Sequence, residues 1–454
     1  MRTIHKIIVA GASLVILVSS VMVVFLMLNM TSRNSPAPEL DSSAVAEGSV
    51  QTVSADITTH SAVEISEEEK ETVFRQVTQV SLPSAKGYNA MQMTRGKESL
   101  TDFSLKTLYE KMEESVYQIS DVANESGLYS AERITIRGYE LTDTQIVQVL
   151  SAFLHDHPEV YWLSNQYGYS VGNNRTTVQL YSVIPPSECN KLSKRMVSEI
   201  NLILQSVPEG LDALDREIYL YEALIARCEY DDAAVSDDSD WRAHSVVGVL
   251  LDSSAVCEGY ARTMQLLLNQ SGIPSMVVTG SAGGAHMWNL ARIDGQWYHL
   301  DATWDDNGDF PIYRYLNLTD KMIREDHEVY PQAGTAQNTS SQEIYNLPLP
   351  SCTSEKANYF KAKGVQIHSL QNDETLTDAL QAAAENKSPS LPIYISEELA
   401  YEETVNQLFQ TSPYQFLYSV QQVNESAKNP ISYNDCTYIE AEASHGLLVL
   451  LKYE

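Results

Sequence analysis

The fold of this chain is decided by one stretch, AHMWNLARIDGQWYHLDATW, which spans residues 285–304. Within it, Asp294-Gly295 separates two runs rich in aromatic and aliphatic residues, and this dipeptide is a strong signal for a two-residue turn between antiparallel strands. A turn of that kind places Ile293 opposite Gln296. The stretch therefore predicts a β-hairpin with a defined register.

A histidine and a carboxylate share one face of this hairpin. In the predicted register His286 lies opposite Thr303, so Asp301 is its diagonal neighbour at a Cβ separation of about 7 Å. A hydrogen bond across this diagonal would fix the tautomer of His286 and stabilise its cation, as a general base requires. His299 lies on the same face and is the alternative base. We rank it second because its polar partner would have to come from outside the hairpin.

A cysteine with the features of a nucleophile precedes the hairpin, in the sequence SSAVCEGYA at residues 253–261. Serines stand before a helical pattern of apolar residues, and stop signals follow at Gly272 and Pro274, so we expect a helix whose first turn carries Cys257. Unpaired N–H groups and the positive end of the helix dipole favour a thiolate there. Cys257 is therefore a candidate nucleophile. A buried structural cysteine is the alternative interpretation of this segment alone.

The chain resembles the transglutaminase-like superfamily in three ordered blocks, which are AVCEGYA at 255–261, AHMWN at 285–289 and WYHLDATW at 297–304. The resemblance extends over about residues 191–330. In that superfamily the residues that match Cys257, His286 and Asp301 are nucleophile, base and orienter, on a papain-like core in which a helix packs against an antiparallel sheet. The resemblance implies an α+β fold with this core and these three catalytic residues.

The resemblance includes two further pairs and one departure. Tyr230-Asp231 and Asp326-His327 are pairs often seen in exported bacterial members, whereas Met287 stands where alanine is usual. The enzymes of the superfamily, among them peptidases, protein crosslinkers and peptide N-glycanases, form a thioester or acyl-enzyme at cysteine and pass the acyl group to water or an amine. Other members keep the fold for binding.

Other residues that could carry chemistry favour structural roles. His244 and Trp241 are candidates for a second oxyanion donor, and we expect each to be structural. The aspartates of residues 231–240 favour a solvated loop over a cation site, and residues 155–159 favour a helix-to-strand turn over a metal site. Residues 305–316 lack the Gly and Glu of a calcium loop. Five scattered cysteines match no zinc pattern. We expect no cofactor and no metal ion.

The charge of the chain restricts its partners. Sixty acidic residues against thirty basic residues give a net charge of −30. Neutralising phosphates requires basic patches, which argues against a nucleic-acid partner. We therefore expect protein or peptide substrates, cell-wall peptide included.

The predicted organisation has five parts. They are an apolar anchor at 1–30, a disordered acidic tether at 31–70, an N-terminal α/β domain at 71–190, a catalytic transglutaminase-like domain at 191–345 and a C-terminal α/β domain at 346–454. Periodicity predicts helices over residues 100–122, 142–154, 191–207 and 211–230. It predicts strands over residues 132–139, 161–171, 176–184, 391–395, 414–423 and 447–451.

An uncharged and mostly apolar run covers residues 7–28. As a helix it would span roughly the 30 Å hydrocarbon core of a bilayer. Arg2 and Lys6 precede the run and acidic residues follow it, so positive-inside asymmetry leaves the amino terminus cytoplasmic. We expect a single-pass transmembrane helix with the bulk of the chain outside the cytoplasm. A cleaved signal peptide is the alternative.

Two classes of function fit these features. The preferred one is a membrane-anchored, extracytoplasmic cysteine enzyme that performs acyl transfer or hydrolysis on amides of surface proteins or cell-wall peptide. The alternative is a non-catalytic surface module that binds a partner in cell-envelope assembly or division. The complete set of Cys257, His286 and Asp301 favours the enzyme.

The apolar run predicts how the protein fractionates. It should stay in the membrane fraction after carbonate washing, and protease added from outside should release the chain beyond about Lys70, because residues 7–28 hold it in the bilayer. Mature protein in the medium that begins between Asn29 and Asp41 would show instead that a signal peptide is cleaved.

Overall fold

The computed structural model describes residues 94–237, 239–308, 310–331, 346–370, 374–412 and 414–454, together with the backbone of three short strands nearer the amino terminus. These are β1 (Ile4–Lys6), β2 (Ser61–Glu64) and β3 (Val77–Gln79). The predicted anchor helix at residues 7–28 and most of the predicted tether lie outside the described residues. Among the helices that are described, none is long and apolar enough to cross a membrane.

The chain forms two compact units. One comprises Ser54–Ala362, and the other comprises Met1–Val53 together with Lys363–Glu454. The boundary predicted at residue 190 falls inside the first unit.

The amino-terminal part of the first unit is a seven-stranded sheet with helices α1 to α3. Its further strands are β4 (Gln118–Ala123), β5 (Tyr129–Ala131), β6 (Ile134–Arg137), β7 (Leu163–Val171) and β8 (Arg175–Ser182). The helices are α1 (Arg95–Ser99), α2 (Phe103–Ser115) and α3 (Asp143–Asp156). The strand order is β2-β7-β8-β5-β4-β3, and β6 pairs with β8. The helix predicted over residues 100–122 is too long, because the chain after Ser115 joins the sheet.

Two helices and a short parallel strand pair connect this sheet to the core. They are α4 (Pro186–Ser206), α5 (Ala213–Ile225), β9 (Glu229–Tyr230) and β10 (Ser254–Ala255). β9 and β10 pair in parallel, and α6 (Cys257–Gln270) follows. The two helices predicted after residue 190 are therefore present, with shifted ends.

Five strands form the core sheet, namely β11 (Ser275–Ser281), β12 (Ala285–Ile293), β13 (Gln296–Leu300), β14 (Leu316–Leu318) and β15 (Glu328–Val329). Their order is β14-β13-β12-β11-β15, and every neighbouring pair is antiparallel. Ile293 pairs with Gln296, and this predicted register holds to the end of β13. Asp294 and Gly295 both have positive φ, as a tight hairpin turn of this type requires.

Helix α6 packs against the core sheet through a small buried cluster of Ala261, Val277 and Met287. Asn289 Nδ2 on β12 also donates a hydrogen bond of 2.8 Å to the carbonyl of Ala261. Met287 is fully buried. It therefore fills space between helix and sheet.

Side chains of α6 bind the end of α3. Arg262 Nη1 donates to the Leu154 carbonyl at 3.1 Å, and Gln265 Nε2 donates to the His155 carbonyl at 2.7 Å. Carbonyls in the last turn of a helix have no partner within it, so these bonds satisfy them. Arg262 also contacts Glu258, in the first turn of α6, at 2.8 Å. The amino-terminal sheet and the start of α6 are thereby joined through one buried arginine.

The other unit contains a five-stranded sheet in the order β1-β18-β19-β17-β16. Its elements after α9 (Tyr359–Lys363) are β16 (Val365–Ile367), α10 (Glu374–Asn386), β17 (Ser390–Ile395), α11 (Tyr401–Phe409), α12 (Gln415–Asn424), β18 (Thr437–Ala441) and β19 (Gly446–Leu450). The strand predicted over residues 414–423 is wrong. That segment is helix α12, because Phe416, Val420 and Val423 recur at helical spacing and are buried on one side.

Strand β1 pairs with β18, with Ile4 opposite Ile439.

Helix α5 carries a buried carboxyl group whose titration is coupled to folding. Glu217 is fully buried, and Asn317 Nδ2 donates a hydrogen bond of 2.6 Å to its Oε2. Burial raises the pKa of Glu217 to about 8, although the bond from Asn317 opposes this. The folded state therefore holds this proton more tightly than the unfolded chain. The resulting stability is fully present below about pH 4 and is lost as the pH rises through about 8.

Glu217→Gln should remove this pH dependence, because the amide does not titrate and still accepts the bond from Asn317. We expect the variant to lose less unfolding free energy than the wild type between pH 6 and pH 9. All five tryptophans lie between residues 162 and 304, so fluorescence during urea unfolding follows this unit. Glu209→Gln, at an exposed position, is the control. Equal pH dependence in wild type and Glu217→Gln would contradict the assignment.

Candidate active site

Cys257 is the first residue of α6. The preceding Val256 is the N-cap, its backbone is extended, and no side chain caps the helix. The predicted helix with Cys257 in its first turn is present, and the Ser254 hydroxyl that precedes it donates to Asp231 at 2.8 Å. The side chain of the N-cap residue therefore does not occupy the N–H groups of the first turn. The positive end of the helix dipole lies at the thiol.

Close backbone packing positions this helix start. A Cβ on Gly259 would lie 2.6 Å from the carbonyl oxygen of Ala243, so only glycine lets the first turn approach that segment. Ser253 has a left-handed backbone with φ of 59°, which turns the chain into β10 just before the helix. Cys257 is held in a buried position, with 3% of its surface exposed.

The hydrogen bond predicted between His286 and Asp301 is present. His286 Nε2 lies 2.7 Å from Asp301 Oδ2. Asp301 follows the last residue of β13 and is the N-cap of the short helix α7 (Ala302–Asp305). Its Oδ1 accepts hydrogen bonds from the N–H groups of Thr303 and Trp304 at 2.9 and 3.2 Å. One oxygen of the carboxylate is thus fixed by a helix cap and the other faces the imidazole.

The thiol of Cys257 completes a chain of three groups. Cys257 lies close enough to the imidazole to raise the pKa of His286, and since Nε2 of the imidazole faces Asp301, Nδ1 is the nitrogen left for the thiol. Burial alone would lower the pKa of His286, but the Asp301 carboxylate and Cys257 raise it to about 10. Burial likewise opposes ionisation of Asp301, yet His286 and His327 hold its pKa well below the usual range. His286 is therefore an imidazolium at neutral pH.

A second histidine contacts the same carboxylate. His327 Nε2 lies 3.1 Å from Asp301 Oδ2, and its Nδ1 lies 2.6 Å from Asp326 Oδ1. The ring is enclosed by aromatic side chains, with centroid distances of 4.7 Å to Trp304 and 5.1 Å to Trp288. From sequence, Asp326-His327 is only a pair often seen in exported members of the superfamily, and the sequence predicts no role for it. No local rule connects residue 327 with a carboxylate 26 positions earlier.

His299, the alternative base, lies elsewhere in the network. Trp288 Nε1 donates to its Nδ1 at 3.0 Å, and its Nε2 lies 3.0 Å from Asp320 Oδ1. An indole N–H can only donate, so the His299 proton is on Nε2 and the ring is neutral. Burial lowers the pKa of His299 although Asp320 opposes this. Its carboxylate partner comes from outside the hairpin, as expected.

Within the described residues, two trios of side chains bring metal-ligand atoms within 4.8 Å of one another, namely His286, Asp301 and His327, and His299, Asp320 and Cys352. In the second trio the proton on His299 Nε2 occupies the nitrogen that would bind the ion. In the first trio the pKa values of both histidines are raised by their carboxylate partners despite burial, and an imidazolium does not bind a metal ion. Hydrogen bonding accounts for both arrangements.

The two candidates for a second oxyanion donor occupy the segment before β10. Trp241 stacks on Tyr161 with ring centroids 6.1 Å apart. His244 Nε2 lies 3.3 Å from the Ala234 carbonyl, and its Nδ1 lies 3.5 Å from Glu258. His244 therefore contacts the first turn of α6 through Glu258, whereas Trp241 packs on Tyr161.

The sequence model of the transglutaminase-like superfamily matches residues 204–302, which include Cys257, His286 and Asp301. No curated protein matches the chain.

Five solved chains match the protein, and three of them are described below. A TGase shows 17% identity over 48% of this chain and 61% of its own, with a TM-score of 0.24. A protein from Parabacteroides distasonis proposed to be a protease shows 13% identity over 32% of this chain and 36% of its own, with a TM-score of 0.20. A protein from Cytophaga hutchinsonii proposed to be a cysteine protease shows 11% identity over 44% of this chain and 73% of its own, with a TM-score of 0.21. The chain thus spans less than two thirds of the first two.

Cys257 should react before the other four cysteines. Burial raises the pKa of Cys189 and Cys228 to about 12 and also raises the pKa values of Cys352 and Cys436. Cys257 instead lies at a helix start beside the His286 imidazole, where a cysteine is favoured as a nucleophile. Limited iodoacetamide at about pH 6, followed by peptide mass spectrometry, should find the label at Cys257.

His286→Ala is the control for this labelling, because it removes the cation and should abolish the preference for Cys257. Equal labelling of all five cysteines, or no label at Cys257 in the folded protein, would contradict the thiolate assignment.

Proposed function

We propose that the chain is a cysteine enzyme that transfers or hydrolyses the acyl group of protein and peptide amides. The match of residues 204–302 to the transglutaminase-like superfamily supports this proposal. The observation that carries the proposal is the hydrogen bond of 2.7 Å between His286 and Asp301, with Cys257 beside His286 at the start of a helix. These are the nucleophile, proton carrier and orienting group of covalent acyl transfer.

In the first half of the reaction the Cys257 thiolate attacks the amide carbonyl carbon. The new C–S bond gives a tetrahedral oxyanion, to which the uncapped N–H of Cys257 can donate. The C–N bond then breaks, and the proton on His286 goes to the leaving amine. A thioester remains on the enzyme. Asp301 stabilises the imidazolium before this transfer and keeps the ring oriented during it.

The second half restores the thiolate. Water or an amine attacks the thioester carbonyl, the proton of the nucleophile goes to His286, and the C–S bond breaks. Water gives hydrolysis, and an amine gives a new amide. The proposed donors are glutamine side chains or peptide bonds of surface proteins and cell-wall peptide.

We also propose the location inferred from sequence, with residues 7–28 as a membrane anchor and the catalytic unit outside the cytoplasm. The charge asymmetry around that run supports this location. In the alternative function, as a binding module, the thiol would play no part. A Cys257→Ala strain with the wild-type phenotype would favour that alternative.

The proposed roles predict an order among active-site variants. Asp301→Asn should lower turnover by about 10³- to 10⁴-fold, because the amide can favour the wrong tautomer of His286 and cannot stabilise its cation. His286→Ala should be at least as damaging. The double variant should add little, since the two residues act as a unit. The measurement is amine incorporation and amide hydrolysis with envelope extract, followed by mass spectrometry.

His299→Ala is the control in this series. It should lower the melting temperature, because Trp288 and Asp320 lose a buried partner, with only a modest effect on the rate of the folded enzyme. Activity that survives His286→Ala but is abolished by His299→Ala would show that the base is misassigned.

A further inference from the structure

The contacts of His327 are unusual because both ring nitrogens face a carboxylate. Nε2 lies 3.1 Å from Asp301 and Nδ1 lies 2.6 Å from Asp326. A neutral imidazole can donate from only one nitrogen, so two carboxylate acceptors are both satisfied only by the imidazolium. The His327 side chain has no exposed surface, and burial opposes its charge. Asp301 and Asp326 nevertheless raise the pKa of His327.

The fold holds this ring in place from two sides. The backbone N–H of His327 donates a hydrogen bond of 3.0 Å to the carbonyl of Ile323, at the end of the short helix α8 (Asp320–Ile323). Strand β15 begins at the residue after His327. β15 pairs with Gly280, which also pairs with His286 on its other side. A Cβ on Gly280 would lie 2.1 Å from the Glu328 carbonyl oxygen. Glycine therefore lets β15 bring His327 close to His286, with ring centroids 5.5 Å apart.

Asp301 is the point at which the two histidines meet. It is 1% exposed and accepts four hydrogen bonds, two from backbone N–H groups and two from imidazoles. A carboxylate has about four lone-pair sites, so every site is used. If His327 were absent, Asp301 would become a buried anion with no cation beside it each time His286 gives up its proton. Such an uncompensated buried charge is strongly unfavourable.

We propose that His327 is a positioning residue that stays charged between Asp301 and Asp326 and neutralises Asp301 while His286 is without its proton. The inference rests on the proposed function of Cys257, His286 and Asp301. His327 makes it easier for His286 to release its proton to the leaving amine, because Asp301 keeps one cation throughout. It does not touch the substrate and exchanges no proton with it.

The titratable groups that face His327 decide in which direction its removal shifts the pKa of His286. They are Asp301, Asp326, His286, Tyr315 and His299. His286 and His327 repel each other as cations. Removing the charge at position 327 should therefore raise the pKa of His286, because Asp301 then attracts His286 alone.

The first test needs no substrate and no variant. Nitrogen-15 NMR of the histidine rings in the full-length protein at pH 7 should show both nitrogens of His327 protonated. A neutral His327 at pH 7 would overturn the proposal. This readout is independent of turnover, so inactivity of the wild type on every amide would count against the proposed function and leave this result interpretable.

The second test compares matched variants. His327→Gln keeps a donor for Asp301 without the charge, and Asp326→Asn keeps an acceptor for His327 while removing the anion that holds its proton. Both should raise the pKa of His286 in the same NMR titration and lower kcat by about 10- to 100-fold with KM little changed. Asp320→Asn, beside His299, is the control and should alter neither. An unchanged His286 titration in both His327→Gln and Asp326→Asn would overturn the proposal.

Discussion

The buried carboxylate of Asp301 is the constraint on which the rest of the site depends. An ionised carboxylate without exposed surface is tolerated only if its lone pairs are satisfied and cations compensate its charge. The chain meets both conditions with elements that are far apart in sequence. The cap of α7 supplies two N–H groups, β12 supplies His286, and the segment between α8 and β15 supplies His327. The Tyr221 hydroxyl on α5 also donates to the Asp301 carbonyl at 2.8 Å.

The site also requires a helix that begins at Cys257 and whose N-cap residue makes no side-chain cap. A capped helix would use the N–H groups that an anion at the thiol needs. Here Ser254 is bound to Asp231 instead, and Gly259 lets the first turn lie against Ala243. Arg262 joins Glu258 in that turn to the end of α3. The amino-terminal sheet therefore acts as a support for the helix that carries the thiol.

Much of this site could be predicted from sequence because its strongest signals are local. Asp294-Gly295 sets the hairpin register, and the register alone brings His286 and Asp301 to one face. The position of Cys257 follows from the helical period. The role of His327 could not be predicted, because its contact with Asp301 depends on how β15 joins the sheet, and no short-range pattern encodes that pairing. The mistaken strand at residues 414–423 has another cause, since aromatic and β-branched residues suggested a strand although their spacing is that of helix α12.

The central claim is that the acyl group passes through a thioester on Cys257. The most direct measurement is rapid acid quenching of the full-length protein during turnover of envelope peptides, followed by peptide mass spectrometry and hydroxylamine treatment. We expect an acyl adduct on the peptide that carries Cys257. Hydroxylamine should remove this adduct, and Cys257→Ala should lack both the adduct and turnover. Turnover that survives Cys257→Ala would show that the reaction does not pass through a thioester on Cys257.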